Sequence, residues 1–223
     1  MPTLAPVHVG LPVELQPATG AIQACARTDP QIPLFIDEVT GNSTEQKGID
    51  FSISLGEPAN LPPFTALLAR EEILVIVQPD VAISHLSSEQ LAAIFTGKIT
   101  SWKQFGGADH PVLVWVYPDG NTIRHIFDAV LNISPATSLA MVAPDPRAML
   151  EGVGKQPGSI GYLPNAWLTP DVKNIQIDAG FRLAMLQPVL AMANQNPQGA
   201  ARRLIGCLQT GSGRQILLKY YQP

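Results

Sequence analysis

The chain has 223 residues, 46% of them apolar and only 14% charged, with a net charge of −4. Globular domains carry about 25% charged residues, so this surface is built more from Gly, Pro, Ser, Thr, Asn and Gln. A chain this apolar and this weakly charged can bury a core, which excludes disorder, and its mild acidity argues against a nucleic-acid partner. No apolar run approaches the roughly 20 residues of a membrane helix. The opening Met1-Pro2-Thr3-Leu4-Ala5-Pro6 has neither the basic start nor the apolar stretch of a signal peptide. That leaves two alternatives, a cytosolic protein or an exported one whose signal has been removed. Cys25 and Cys207 form no CxxC and are too few for a zinc site. They are either two buried thiols or, in an exported protein, one disulfide joining the two ends of the chain.

Apolar runs alternate with helical patterns, which predicts an α/β fold. Val7-His8-Val9 reads as a first strand, residues 20–27 as a helix, and Leu34-Phe35-Ile36 as a second strand. The second strand runs into the polar turn Thr40-Gly41-Asn42-Ser43-Thr44, and residues 49–55 follow as a third strand. The Pro-rich stretch 57–63 predicts an irregular connection, since proline donates no ladder bond. Residues 73–77 form a continuous apolar run suited to a buried strand.

Ser87 then predicts a helix N-cap, with Gln90 completing a capping box and Leu86 and Leu91 at the staple positions. Leu91, Ile94 and Phe95 make its apolar stripe, and Gly97 ends it. Residues 112–116 form another strand. Tyr117-Pro118-Asp119-Gly120 leads from it into a helix with Ile123, Ile126, Phe127, Val130 and Leu131 on one face. Asp145-Pro146 opens a further helix. Residues 159–163 and 189–192 read as strands. Asn196-Pro197 is expected to cap a closing helix, with a break at Gly211-Ser212-Gly213 before a last short helix.

Catalytic chemistry is not legible. Gly154-Lys155 lacks the remaining residues of a phosphate-binding P-loop, and Gly158-Ser159-Ile160-Gly161 has the wrong spacing for a nucleophile elbow. His8, His85, His110 and His125 share no ligand spacing, so neither a metal nor a cofactor is expected. What stands out is a set of small polar loops at strand ends: Thr40 to Thr44, Ser52 and Ser54, and Asp119-Gly120-Asn121-Thr122 with Arg124 in the following first turn. Helix N-termini leave amides unpaired and carry partial positive charge, which suits an anion. In open α/β sheets, ligands bind outside the C-terminal ends of strands, where these loops fall.

The run Leu86-Ser87-Ser88-Glu89-Gln90-Leu91-Ala92-Ala93-Ile94-Phe95-Thr96-Gly97-Lys98-Ile99-Thr100-Ser101-Trp102 resembles a signature of the phosphate-binding-like extracytoplasmic solute-binding proteins of ABC transporters. Ile49-Asp50-Phe51, Ser159-Ile160-Gly161-Tyr162, Pro188-Val189-Leu190 and the tail from Ala200 to Gln215 resemble further family segments, in family order. The resemblance implies the type II periplasmic-binding-protein fold, two α/β lobes joined by two crossovers with a ligand cleft between them. Lobe one would comprise residues 1–79 and 186–223, and lobe two residues 80–185.

It also implies a non-enzymatic monomer outside the cytoplasm that captures a small oxyanion, phosphate first, and hands it to a permease. The ligand positions implied are Thr40, Gly41, Asn42, Ser43, Thr44 and Ser54 in lobe one, and Asp119, Gly120, Asn121, Thr122 and Arg124 in lobe two. The match departs from the family pattern at several of these places. Leu55 stands where phosphate binders place an acceptor Asp, Tyr117 where they place an Arg, and Asn121, Thr122 and Ile123 replace a Ser-Gly-Thr run. Two alternatives therefore stay open, a different small solute on the same scaffold and a sensor without an uptake role. Trp102 and Phe95 are expected in the core of lobe two, whereas Trp115 could face either core or ligand.

Overall fold

Short apolar strands and amphipathic helices alternate through the computed structural model, which describes residues 5–29, 33–40, 48–107, 109–133 and 136–223. In chain order the elements begin with β1 (Val7–Pro12), a 3-10 turn (Val13–Ala18), α1 (Thr19–Arg27), β2 (Leu34–Val39), β3 (Phe51–Leu55) and β4 (Phe64–Val77). Then come β5 (His85–Leu86), α2 (Ser88–Phe95), β6 (Leu113–Val116), α3 (Thr122–Leu131), β7 (Met141–Val142), α4 (Pro146–Lys155) and β8 (Ser159–Pro164). The chain closes with β9 (Lys173–Asn174), β10 (Gln176–Ile177), α5 (Ala179–Ala184), β11 (Leu186–Ala193), α6 (Gly199–Thr210) and α7 (Ser212–Leu217).

These elements form two compact units, Met1–Glu71 with Gln187–Pro223, and Glu72–Leu186. The first crossing falls inside β4, before residue 79 where lobe one was expected to end. The reason lies in the strand: β4 does not begin at residue 73 but at Phe64, and its run of buried side chains carries it unbroken through Val77.

In the first unit the strand order is β2-β1-β3-β11-β4. β1 pairs in parallel with β2 (Val7 opposite Leu34) and with β3 (Val9 opposite Phe51), and β11 runs antiparallel to β3 (Val189 opposite Leu55). Val9, Leu11, Phe51 and Ile53 are buried in this sheet. α1, α6 and α7 pack on one another, and a disulfide joins Cys25 of α1 to Cys207 of α6 across 182 residues of sequence. This resolves the cysteine alternatives in favour of the bonded pair. Gly213 is packed so closely on the Cys25 sulfur that no side chain fits there. The closing helix begins at Gly199 with Gln198 at its N-cap, not at Asn196.

In the second unit the order is β4-β8-β6-β7, with β9 pairing antiparallel to the end of β4 and a separate β10–β5 pair. β6, β7 and β8 are mutually parallel, and β8 is antiparallel to β4. The capping box of α2 forms as its sequence predicts, with Gln90 N–H donating to Ser87 Oγ and Ser87 N–H to Gln90 Oε1. A distant carboxylate assists: Asp178 accepts the Ser88 N–H at 2.7 Å. Phe95, Phe127 and Tyr162 fill the core, with Phe127 and Tyr162 stacked at 3.8 Å. Trp102 is buried and donates its indole N–H to Gly158 O. The half-buried Trp115 ring lies against Gly152 of α4 and donates its indole N–H to Ser159 Oγ of β8, which places it between α4 and β8.

Candidate functional site

The β6–α3 junction builds the larger described part of the site. After Val116 the chain turns through Pro118-Asp119-Gly120-Asn121, closed by a hydrogen bond from Asn121 N–H to Pro118 O at 3.2 Å. Gly120 takes φ +83°, a left-handed conformation that a turn of this kind reserves for glycine. Asn121 then caps α3, its Oδ1 accepting the N–H groups of Ile123 at 2.9 Å and Arg124 at 3.2 Å. The cap satisfies two of the amides that a bare helix start would offer to an anion. Thr122 follows as the first helical residue, half-buried.

Arg124 reaches back from the first turn. Its Nη1 donates to Tyr117 O at 2.7 Å and lies 3.2 Å from Asp119 Oδ1, while its Nε donates to Asp128 Oδ2 at 3.1 Å. Only 14% of the Arg124 side chain is exposed, against 96% of Asp119. The five predicted residues of this loop are thus brought together, but the cation among them is held by two carboxylates. Asp128 was not expected here, although its i+4 spacing from Arg124 was readable in the sequence.

Tyr117, which stands where phosphate binders place an Arg, is fully buried. Its ring meets Tyr162 edge-on at 5.5 Å. Burial, reinforced by the charge of Asp128, pushes the Tyr162 hydroxyl well above the usual tyrosine range, so this ring belongs to the neutral core. At the neighbouring parallel strand end, β7 leads to Asp145, which caps α4 by accepting the Ala148 N–H at 2.8 Å. Two capped helix starts therefore stand side by side at the C-terminal ends of β6 and β7. Sequence reading took Asp145 only as a helix opener, because pairing of the two-residue β7 with β6 is not visible in a linear pattern.

In the other unit, Thr40 is exposed immediately after β2. Gly41, Asn42, Ser43 and Thr44 lie outside the described residues. Ser54 is buried near the end of β3, and its hydroxyl donates to the Met192 sulfur at 3.6 Å. Leu55 beside it is buried as well. Among the described residues, no group of three or more His, Cys, Asp or Glu side chains is placed to hold a metal ion.

A family model described as a PBP superfamily domain matches residues 44–199. The phosphate-binding protein PstS of Bacillus subtilis is 31% identical over 103 residues, 46% of this chain and 34% of that protein, so the match spans about a third of the relative's length. Among solved structures, a Clostridium perfringens protein assigned as a phosphate ABC transporter substrate-binding protein, with phosphate bound, superposes with a TM-score of 0.85. That alignment is 17% identical and covers 97% of this chain and 98% of the other. An ABC-type phosphate transport receptor from Vibrio cholerae gives a TM-score of 0.78 at 18% identity, over 97% of this chain and 99% of that one.

Proposed function

Because the chain belongs to the PBP superfamily, we propose that it is an extracytoplasmic solute-binding protein that captures a small oxyanion, inorganic phosphate first, for an ABC transporter. The observation that carries this reading is the β6–α3 junction, where a glycine turn, a capped helix start and an arginine converge at the C-terminal end of a parallel strand. The positive end of α3 favours an anion there, and Thr122 adds a hydroxyl. The proposed ligand contacts are Asp119, Gly120, Asn121, Thr122 and Arg124 in one lobe and Thr40, Gly41, Asn42, Ser43, Thr44 and Ser54 in the other. Ser54 reaches a ligand only by turning its hydroxyl from Met192. The lobes would correspond to the two compact units and close on the ligand as a hinge.

The protein acts as a monomer that delivers its ligand to a permease, without a chemical step. The name of the Bacillus relative supports phosphate. The Cys25–Cys207 disulfide supports an oxidising, extracytoplasmic location, since such bonds persist there and are rare in the cytosol.

A second reading, a less highly charged solute on the same scaffold, is favoured by one observation. Arg124 is already shared between Asp119 and Asp128, so the described site offers no uncompensated cation for a dianion. Full desolvation of such an ion needs many converging donors. Titration calorimetry with phosphate, sulfate, nitrate and small carboxylates separates the two readings. Phosphate binding weakened at least tenfold by Ser43→Ala or Asn121→Ala supports the first. Binding of a monoanion or neutral solute with no response to phosphate supports the second.

A further inference from the structure

The β6–α3 junction sets one cation against several carboxylates. Arg124 is paired with Asp119 and Asp128, and Asp145 caps the neighbouring helix α4. One positive and three negative side chains leave a surplus of two negative charges. The starts of α3 and α4 contribute about half a positive charge each, so the junction stays negative by roughly one charge.

Asp128 lies one helical turn beyond Arg124. Its Oδ2 accepts Arg124 Nε at 3.1 Å, and only 20% of its side chain is exposed. Its Oδ1 is buried and meets no hydrogen-bond donor among the described residues. A carboxylate satisfied at one oxygen keeps much of its charge, and partial burial lets that charge act at a distance. Tyr162 of β8 registers it: after burial, the charge of Asp128 is the next cause that raises the tyrosine hydroxyl. Arg124 commits Nε to Asp128 and Nη1 to Tyr117 O and Asp119, which leaves Nη2 as the nitrogen to meet a ligand. Asp119, 96% exposed, can accept a hydrogen bond from a ligand hydroxyl. Dihydrogen phosphate offers an oxygen for Nη2, a hydroxyl for Asp119 and a single charge. Sulfate brings two charges and no hydroxyl to a guanidinium that two carboxylates already neutralise.

We infer that Asp128 is a specificity-determining residue that makes this site select singly charged oxyanions over doubly charged ones. The inference rests on the reading that the protein captures an oxyanion, and phosphate is then taken up as its monoanion. Repulsion grows in proportion to ligand charge, so removing the charge of Asp128 changes the affinity for a dianion by the square of the factor for a monoanion. For a partly buried charge that factor is about three to ten, hence about ten to a hundred for a dianion.

The groups around Asp128 hold their charge between about pH 5.5 and 8. Arginine does not titrate there, and Tyr162 stays neutral. α2 and α5 pack against α3. Their charged side chains are Glu89, which is exposed, and Arg182, which is paired with Glu72. Histidine is the residue type that titrates in this range, and His125 is exposed beside Arg124. Sulfate controls for it, because a charged His125 strengthens sulfate and phosphate binding alike.

The test is titration calorimetry of the whole chain with inorganic phosphate, sulfate, nitrate and formate at about pH 5.5 and pH 8. Ionic strength is held constant, and two buffers of different ionisation heat count the protons. Phosphate affinity is expected to fall about tenfold per pH unit above the second ionisation of phosphate, with about one proton taken up per phosphate bound at pH 8. Sulfate is expected to stay unbound at both pH values. Asp128→Asn keeps an acceptor for Arg124 Nε; in it, sulfate affinity should rise about ten- to a hundredfold and the pH dependence for phosphate should flatten. The wild-type pH series decides the matter if that variant fails to fold. Phosphate bound equally at both pH values without proton uptake overturns the inference and leaves the phosphate reading standing. A folded Asp128→Asn protein with no gain in sulfate binding overturns it as well. Nitrate or formate bound while phosphate and sulfate stay silent overturns the phosphate reading and leaves the charge selection standing. Silence towards all four ions overturns both.

Discussion

The disulfide offers a prediction whose size depends on how the two units unfold. Cys25 and Cys207 are 182 residues apart and staple α1 to α6, so the bond closes a unit assembled from both chain segments, Met1–Glu71 and Gln187–Pro223. If the whole chain unfolds at once, the bond restrains a loop of that full length, and loop-closure entropy gives a stabilisation of about 5.2 kcal/mol. If the Glu72–Leu186 unit stays folded while the other opens, the free loop is only the roughly 70 residues outside it, and the same relation gives about 4.4 kcal/mol.

Either figure is a large share of the roughly 5–15 kcal/mol that holds a domain together. The perturbation is the Cys25→Ser/Cys207→Ser double variant beside wild type in dithiothreitol, and the assay is urea unfolding followed by both circular dichroism and tryptophan fluorescence. Trp102, Trp115 and Trp167 all lie in the Glu72–Leu186 unit, so fluorescence reports that unit and dichroism both. Two separated transitions, with the dichroism step alone moved by loss of the bond, support independent unfolding. A loss below about 1 kcal/mol in both preparations would show that the bond restrains little of the unfolded chain.

Three smaller perturbations probe the second unit. Gly152→Ala places a methyl 2.5 Å from the Trp115 ring and should cost about 1–3 kcal/mol in urea unfolding; a neutral result contradicts the packing of α4 on β6. Asn121→Ala removes the cap of α3 and should cost about 1 kcal/mol, read from the fluorescence transition; no change means the cap is not formed in solution. Asp178 is held below its ordinary value of 3.8 chiefly by the Ser88 main-chain N–H. Its contribution is therefore present above the ordinary carboxylate pKa and lost as pH falls through the depressed folded value. Asp178→Asn should be less stable than wild type at neutral pH, with the gap closing in acid; a gap independent of pH refutes the charge-assisted bond.

Much of the fold was legible because local chemistry specified it. Ser87 with Gln90, Asn121 and Asp145-Pro146 each mark a helix start that the structure places at the same residues. The gaps arise where tertiary pairing decides. Residues 64–70 carry a mixed pattern, and their strand is visible only once the residues around them pair. The two-residue strands β5, β7, β9 and β10 exist only through their partners. At the candidate site, the turn residues were readable from Gly120 and Asn121, but the state of Arg124 was not. Its neutralisation by Asp119 and Asp128 depends on the side chain folding back over Tyr117 O, a choice of rotamer that no spacing encodes. Likewise Tyr117 reads as a polar substitute for an arginine, whereas full burial and the edge-on contact with Tyr162 make it core.

The central claim is anion capture, and the most direct measurement is thermal unfolding across phosphate, sulfate, nitrate, molybdate and small carboxylates at matched ionic strength. A ligand at 100 times its dissociation constant adds about 2.7 kcal/mol of stability. Phosphate is expected to raise the melting temperature selectively, and Asn121→Ala to weaken this response. An unchanged melting curve in millimolar phosphate, with sulfate and the other oxyanions equally silent, would contradict it.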